Sequence, residues 1–332
     1  MSLMRNARIR IDEVALPGNT LSLCVPLTPN RCWLTSLSTL IGPMAREEAR
    51  RVLKGPERAG LLLLSHLFET IGHALRIDQA VYPEHDLLST SLYGSRLPLI
   101  LSALPELKRL YSAHALIIRS QTEPIYEGVV WPFRLIWHIE DVSAEWLPRR
   151  DSQRDIHRLE ALGLTPQRYE ADMDDAKLER CLDLYRTLYI DTYSAFNPDY
   201  TAQGLRHLMH KGGVVLHTLE NDAGDIEAVC AAKDDGESLI LPLVGYNPGR
   251  PQSDGLYRAI MAHMALDAMK RGLKLNLSAG APHFKRHRGA RPCLEYLIII
   301  DDHLPMWRRM GYRLIAQVLK TMAPRLHALA QR

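Results

Sequence analysis

The stretch from residue 214 to 277 constrains this 332-residue chain most. Three apolar runs, residues 214–219, 226–232 and 239–244, are joined by the polar segments Asn221-Asp222-Ala223-Gly224 and Asp234-Asp235-Gly236. Short runs rich in Val, Ile and Leu, bounded by Asn, Asp and Gly, read as strands joined by tight turns. A loop over 245–254, a helix over 255–271 stopped by Gly272, and a fourth strand over 273–277 follow. Tight turns make antiparallel neighbours, and a strand–helix–strand crossover makes parallel ones. The pattern therefore predicts an α/β chain with a mixed sheet flanked by helices.

The rest of the chain is less regular. Residues 44–70 read as helix, split at Gly55-Pro56, and 105–111 as another. Residues 87–93 read as a short strand or turn, and 115–119 and 133–139 as buried strands. A helix is expected over 151–163, ending at Gly163, then a break at Leu164-Thr165-Pro166. The acidic run Asp172-Met173-Asp174-Asp175 suits the positive end of the next helix, which continues through Leu178, Leu182, Tyr185, Leu188 and Tyr189. Further elements are a helix over 201–211, a fifth strand over 294–300 and a basic helix over 307–329. No short-period repeat is present. The length favours two domains, 1–165 and 166–332, divided near residue 165.

With 46% hydrophobic and 24% charged residues, the chain is neither disordered, collagen-like nor a coiled coil. Its formal charge of +3 conceals an asymmetry. Residues 245–332 hold 15 Lys and Arg against 5 Asp and Glu, a balance of +10, which leaves −7 for residues 1–244. A basic quarter of this kind suits a phosphate-bearing partner, unless two faces of the fold neutralise each other. The first 14 residues lack the apolar core of a secretion signal, and the apolar run 61–64 is too short to span a bilayer. Cys24, Cys32, Cys181, Cys230 and Cys293 form no C-x-x-C pair, which argues against a disulfide framework or a metal site. The expected location is the cytoplasm.

Two segments carry candidate chemistry. Gln252-Ser253-Asp254-Gly255-Leu256-Tyr257, with Arg258 beyond, lies between a strand and a helix start. Free backbone N–H groups and the helix dipole favour phosphate there, and Gly255 lets the backbone approach closely. The alternative is an ordinary helix start capped by Asp254. The second segment runs from Asn276-Leu277-Ser278-Ala279-Gly280-Ala281 into His283-Phe284-Lys285-Arg286-His287-Arg288-Gly289-Ala290, a dense cationic cluster after a strand.

The order of elements over 214–277 resembles the GNAT acetyltransferase (acyl-CoA N-acyltransferase) fold, whose cofactor loop reads Gln/Arg-x-x-Gly-x-Gly/Ala. Gln252 and Gly255 match it, and Tyr257 stands where that family has a small residue. The Phe284-Lys285 element with Gly289 resembles the Fem-type aminoacyltransferases and their relatives, and related acyltransferase-like proteins look similar over 193–200, 245–258 and 278–295. The resemblance implies tandem GNAT-like domains, the second carrying the donor site, and acyl transfer from aminoacyl-tRNA. In that family the lysine of the Phe-Lys element stabilises charge on the reacting acyl group, a role that falls on Lys285. A fixed cation beside a tetrahedral oxyanion lowers the barrier of acyl transfer.

Around Lys285 the further candidates follow. Arg286 and Arg288 are suited to bidentate phosphate contact. Gln252, Gly255, Tyr257, Arg258 and Ser278 complete the donor-binding set. His283 and Glu295 are candidates for the base that frees the amine, against purely structural roles, and the departing ester oxygen is a third place for the proton. Tyr193, Asn197 and Tyr246 are candidates for an acceptor pocket, although Asn197-Pro198 is equally a turn signal. Trp307, between Met306 and Arg308-Arg309, reads as a base-stacking group or as part of an amphipathic helix with a solvated basic face.

The expected function is an acyltransferase that moves an aminoacyl group from aminoacyl-tRNA to an amine or hydroxylamine nitrogen of a small molecule or peptide. The donor is a cosubstrate, and no permanently bound cofactor or metal is expected. The alternatives are an acyl-CoA-dependent N-acyltransferase, with a coenzyme A thioester as donor, and a non-catalytic RNA- or protein-binding module on a degenerate fold of this type.

Overall fold

A computed structural model describes residues 2–123 and 128–330. Its strands in chain order are β1 (Arg8–Leu16), β2 (Asn19–Leu27), β3 (Ala80–Pro83), β4 (Ala115–Gln121), β5 (Val129–Ile139) and β6 (Thr165–Tyr169). They continue as β7 (Val215–Glu220), β8 (Ile226–Asp234), β9 (Ser238–Tyr246), β10 (Lys274–Asn276) and β11 (Arg291–Ile300). The chain divides into two compact units. One comprises Met1–Phe133, Ser194–Asp199 and Glu295–Arg325, and the other Arg134–Tyr193, Tyr200–Leu294 and Leu326–Arg332.

In the first unit β1, β2, β3, β4 and β11 are neighbours in that order. β1–β2, β2–β3 and β4–β11 are antiparallel, and β3–β4 is parallel. Leu23, Val81, Ile118 and Ile298 on these strands pack against Ile100, Leu104 and Leu107 of the helix Arg96–Leu110. The hairpin β1–β2 and strand β3 were not expected. The charges on β1 alternate with small apolar residues and give no long apolar run, because this strand is mostly exposed. Residues 87–93 form no strand. Leu87 and Leu88 are buried instead as part of an irregular segment, with φ +57° at Leu87.

In the second unit the order is β5, β10, β9, β8, β7, β6. β6 to β9 form an antiparallel meander, and β10 lies parallel to β9 after the crossover helix Leu256–Arg271. That helix is apolar nearly all round, with Ala259, Ile260, Ala262, Met264, Ala265 and Ala268 buried, as a helix covered on most sides must be. Its small residues allow close approach to Leu241, Leu275 and Trp137 in the core. The break at 164–166 lies inside this unit. It is the entrance to β6, a mostly exposed edge strand whose lack of apolar alternation hid it from a sequence reading. All five cysteines are free thiols, and four are buried.

Candidate functional site

The loop after β9 forms a short helical turn, Gln252–Asp254, and reaches the helix Leu256–Arg271 through Gly255 in the left-handed conformation, φ +64°. Asp254 does not cap this helix. Its carboxylate accepts from Arg250 Nε at 2.8 Å, and no side chain caps the helix start. The first amides of the helix are thus open to an anion, with the dipole behind them.

Beside this start lies an open cleft of about 810 Å³. One wall is the helix Arg150–Ala161, which presents Arg150, Arg154 and Arg158; Ser253, Asp254 and Arg258 form the opposite rim, and Arg288 reaches the cleft as well. Arg158 lies over the helix start, since a Cβ at Gly255 would meet its Cδ at 2.7 Å. Three of the arginines have carboxylate partners. Arg154 faces Asp151 at 3.3 Å, Arg158 faces Asp155 at 3.6 Å, and Arg288 Nε donates to Asp155 at 2.5 Å. Arg150 and Arg258 are exposed and have no ion-pair partner among the described residues. Five guanidinium groups against Asp151, Asp155 and Asp254 leave the cleft positive and suited to phosphate.

The Phe-Lys element folds differently from its expected role. Lys285, 2% exposed on the short helix Pro282–His287, donates through Nζ to the carbonyl oxygens of Leu277 at 2.6 Å, Ser278 at 3.1 Å and Ala279 at 2.8 Å. An ammonium has three N–H donors, so none is left for an oxyanion. Lys285 therefore ties down the turn in which Ser278 has φ +59°. Burial and the charge of Arg134 lower its pKa to about 7, while the three carbonyls favour the charged form.

The other candidates separate. Arg288 touches the cleft, but its Nε is held by Asp155 and one terminal nitrogen by the Phe284 carbonyl at 2.9 Å, with the guanidinium 3.7 Å from the Phe284 ring. Arg286 is exposed over Trp137, 5.6 Å from the ring centre, and does not line the cleft. Ser278 is committed to the turn: its N–H donates to Asn276, and its Oγ lies 3.4 Å from Arg134. Gln252 contributes to the turn before Gly255 and is not a cleft residue. Tyr257 points away from the cleft, with its ring 5.0 Å from Phe284 and 6.3 Å from Tyr246, and burial raises its phenol pKa.

His283 is exposed and packs its ring on His287 at 4.2 Å, away from the buried ammonium of Lys285. Glu295 is 1% exposed in the first unit, where Thr90 donates to it at 3.4 Å. Neither adjoins the cleft. Of the acceptor candidates, Tyr193 is 48% exposed and 6.0 Å from the Tyr189 ring, and Tyr246 is half-buried beside Tyr257. Asn197 belongs to the first unit and accepts from the Trp33 indole N–H at 2.9 Å. Arg150, Arg154 and Arg158 went unread as site residues. Arg154 and Arg158 lie in the helix expected over 151–163 and Arg150 just before it; the spacing of four was the available signal, because the helix as formed, Arg150–Ala161, puts all three on one face.

Residues 148–286, which include every residue lining this cleft except Arg288, match the family described as Acetyltransferase (GNAT) domain. That match falls on a mixed sheet flanked by helices, the architecture of the GNAT fold. The solved structure of FemX is similar over 94% of this chain and 91% of its own, at 10% identity and a TM-score of 0.50. L-PGS from Bacillus licheniformis is similar over 72% of this chain and 83% of its own, at 13% identity and a TM-score of 0.50. At such identities the likeness is one of fold. No curated protein matches the sequence.

Proposed function

We propose that the chain is an acyltransferase that takes its acyl group from a phosphate-bearing donor, aminoacyl-tRNA, and passes it to an amine nitrogen. The cleft carries this reading. Its arginines do not stop at the helix start, where one diphosphate would sit, but continue along the helix Arg150–Ala161 as a second positive wall. A nucleic-acid backbone matches an extended set of guanidinium groups better than a single anion does. The resemblance to Fem-type enzymes and the likeness in fold to FemX support the same reading.

In the reaction the neutral amine attacks the ester carbonyl. A C–N bond forms, the C–O bond to the ribose breaks, and the amine proton leaves with the departing ribose oxygen. The placement of His283 and Glu295 favours that proton route over a side-chain base. The open amides at Leu256–Arg258 and the arginines hold the donor phosphates and fix the ester in place, so orientation supplies most of the acceleration.

A second reading, an acyl-CoA donor, is favoured by Tyr257. Its side chain turns inward, so Tyr257 does not crowd a diphosphate at the helix start, where the Arg158 side chain lies over Gly255. Incubation with labelled aminoacyl-tRNA and a panel of amines decides between the two. Transfer of label to a small product, with tRNA binding that weakens steeply with salt, is the expected result. Saturable acetyl-CoA binding without tRNA binding overturns it in favour of the second reading, and RNA binding without turnover with any amine or thioester overturns catalysis.

A further inference from the structure

The helix Met306–Ala330 begins in the first unit with an unusual outer face. Met306, Trp307, Met310 and Leu314 are 60%, 51%, 63% and 59% exposed. At 100° per residue they fall within one sector of about 100°, opposite the buried Arg308, Tyr312 and Ile315. Arg313 and Lys320, both exposed, and the half-buried Arg309 follow along one edge of that sector. No acidic residue occurs between Met306 and Ala330, and buried Asp301 is the acid that acts on Arg309 and Arg313.

We propose that this helix start is a membrane-surface anchor that lays Met306, Trp307, Met310 and Leu314 into the interface of an anionic bilayer. The charge is complementary: a wholly basic edge borders the apolar stripe, as in helices that lie on anionic membranes. A nucleic-acid surface needs the basic edge but gives Met310 and Leu314 no partner, whereas a bilayer accommodates both. The helix lies on the membrane and does not cross it, since no helix among the described residues is long and apolar enough to span one.

Trp307 makes the test direct, because Trp33, Trp131, Trp137 and Trp146 are all at most 7% exposed. The full chain is mixed with phosphatidylcholine vesicles with and without about 30% phosphatidylglycerol, and binding is read by co-sedimentation and tryptophan emission. Expected are a blue shift on the anionic vesicles and binding at least about tenfold tighter than to neutral ones. Met310→Asp and Leu314→Asp, both at exposed positions, abolish binding with unchanged circular dichroism, and Trp307→Phe removes the blue shift while the protein still sediments. Equal binding to neutral vesicles, or no binding, overturns the proposal. So does self-association abolished by Met310→Asp, which assigns the face to a second copy, or RNA retention that depends on Arg313 but not on Met310.

Discussion

Arg288 Nε and Asp155 Oδ2 meet at 2.5 Å, 133 residues apart, with side chains 8% and 2% exposed. This pair fastens the end of the Phe-Lys element to the helix that forms the arginine wall of the cleft. A buried pair is costly to assemble but more costly to halve.

Asp155→Ala therefore leaves Arg288 buried without its carboxylate. Urea unfolding should show a loss of about 3–5 kcal/mol. A double variant, Asp155→Leu with Arg288→Met, should recover much of that loss. If the two single losses simply add, the residues are not coupled.

Lys285→Met tests whether the ammonium holds a turn or an oxyanion. Three charge-assisted bonds to carbonyls are removed, so stability should fall by about 2–4 kcal/mol. Transfer by the remaining folded protein should stay within about tenfold of normal, because no N–H of Lys285 faces outward. A loss of about a thousandfold with unchanged melting would restore the oxyanion role to this lysine.

Gly289 has φ +86°, and a Cβ there would sit 2.2 Å from the carbonyl oxygen of Glu145. The closest obstacle is the Glu145 backbone, which has no flexible end to yield. Gly289→Ala should destabilise by about 3 kcal/mol or more, read as a lowered melting temperature.

His217, 3% exposed, lies with its Nδ1 3.2 Å from His263 Nε2, and burial lowers its pKa to about 4. Between that value and the unfolded pKa near 6.5 the unfolded chain binds the extra proton, so stability falls as pH falls through this window. The loss attributable to His217 should approach about 3 kcal/mol at pH 4. Denaturant titrations of the parent and of His217→Gln at pH 7 and 4.5 check it; parallel losses in the two proteins would assign the acid sensitivity elsewhere.

Arg150→Ala and Arg258→Ala remove the two guanidinium groups of the cleft that have no carboxylate partner among the described residues. Stability should change by less than about 0.5 kcal/mol at either site. Binding of the donor should weaken, and the salt slope for a tRNA should drop by roughly one per arginine. Unchanged affinity in both would move the donor away from this cleft.

Much of the second unit was legible in the sequence, because its elements announce themselves locally. The meander over 214–244 has apolar runs and polar turns, and the crossover helix is bracketed by Gly255 and Gly272. Strand β1 alternates charge with Ile9 and Ile11 but holds no long apolar run, and β6 carries no apolar alternation at all, so neither was read as a strand. The basic cluster at 283–288 was visible, but its wiring was not. A run of cations does not show that Lys285 points into a cage of carbonyls while Arg286 stays in water.

The sequence alone determined the mixed α/β architecture and the helix start at Gly255, since periodicity, turn residues and glycine geometry act over a few residues. Tertiary structure decided which cations are free to meet a ligand. Asp155 claims Arg288, three carbonyls claim Lys285, and Arg150 and Arg258 remain exposed at the cleft. That allocation depends on groups as much as 133 positions apart meeting in the folded chain, and no local pattern encodes it.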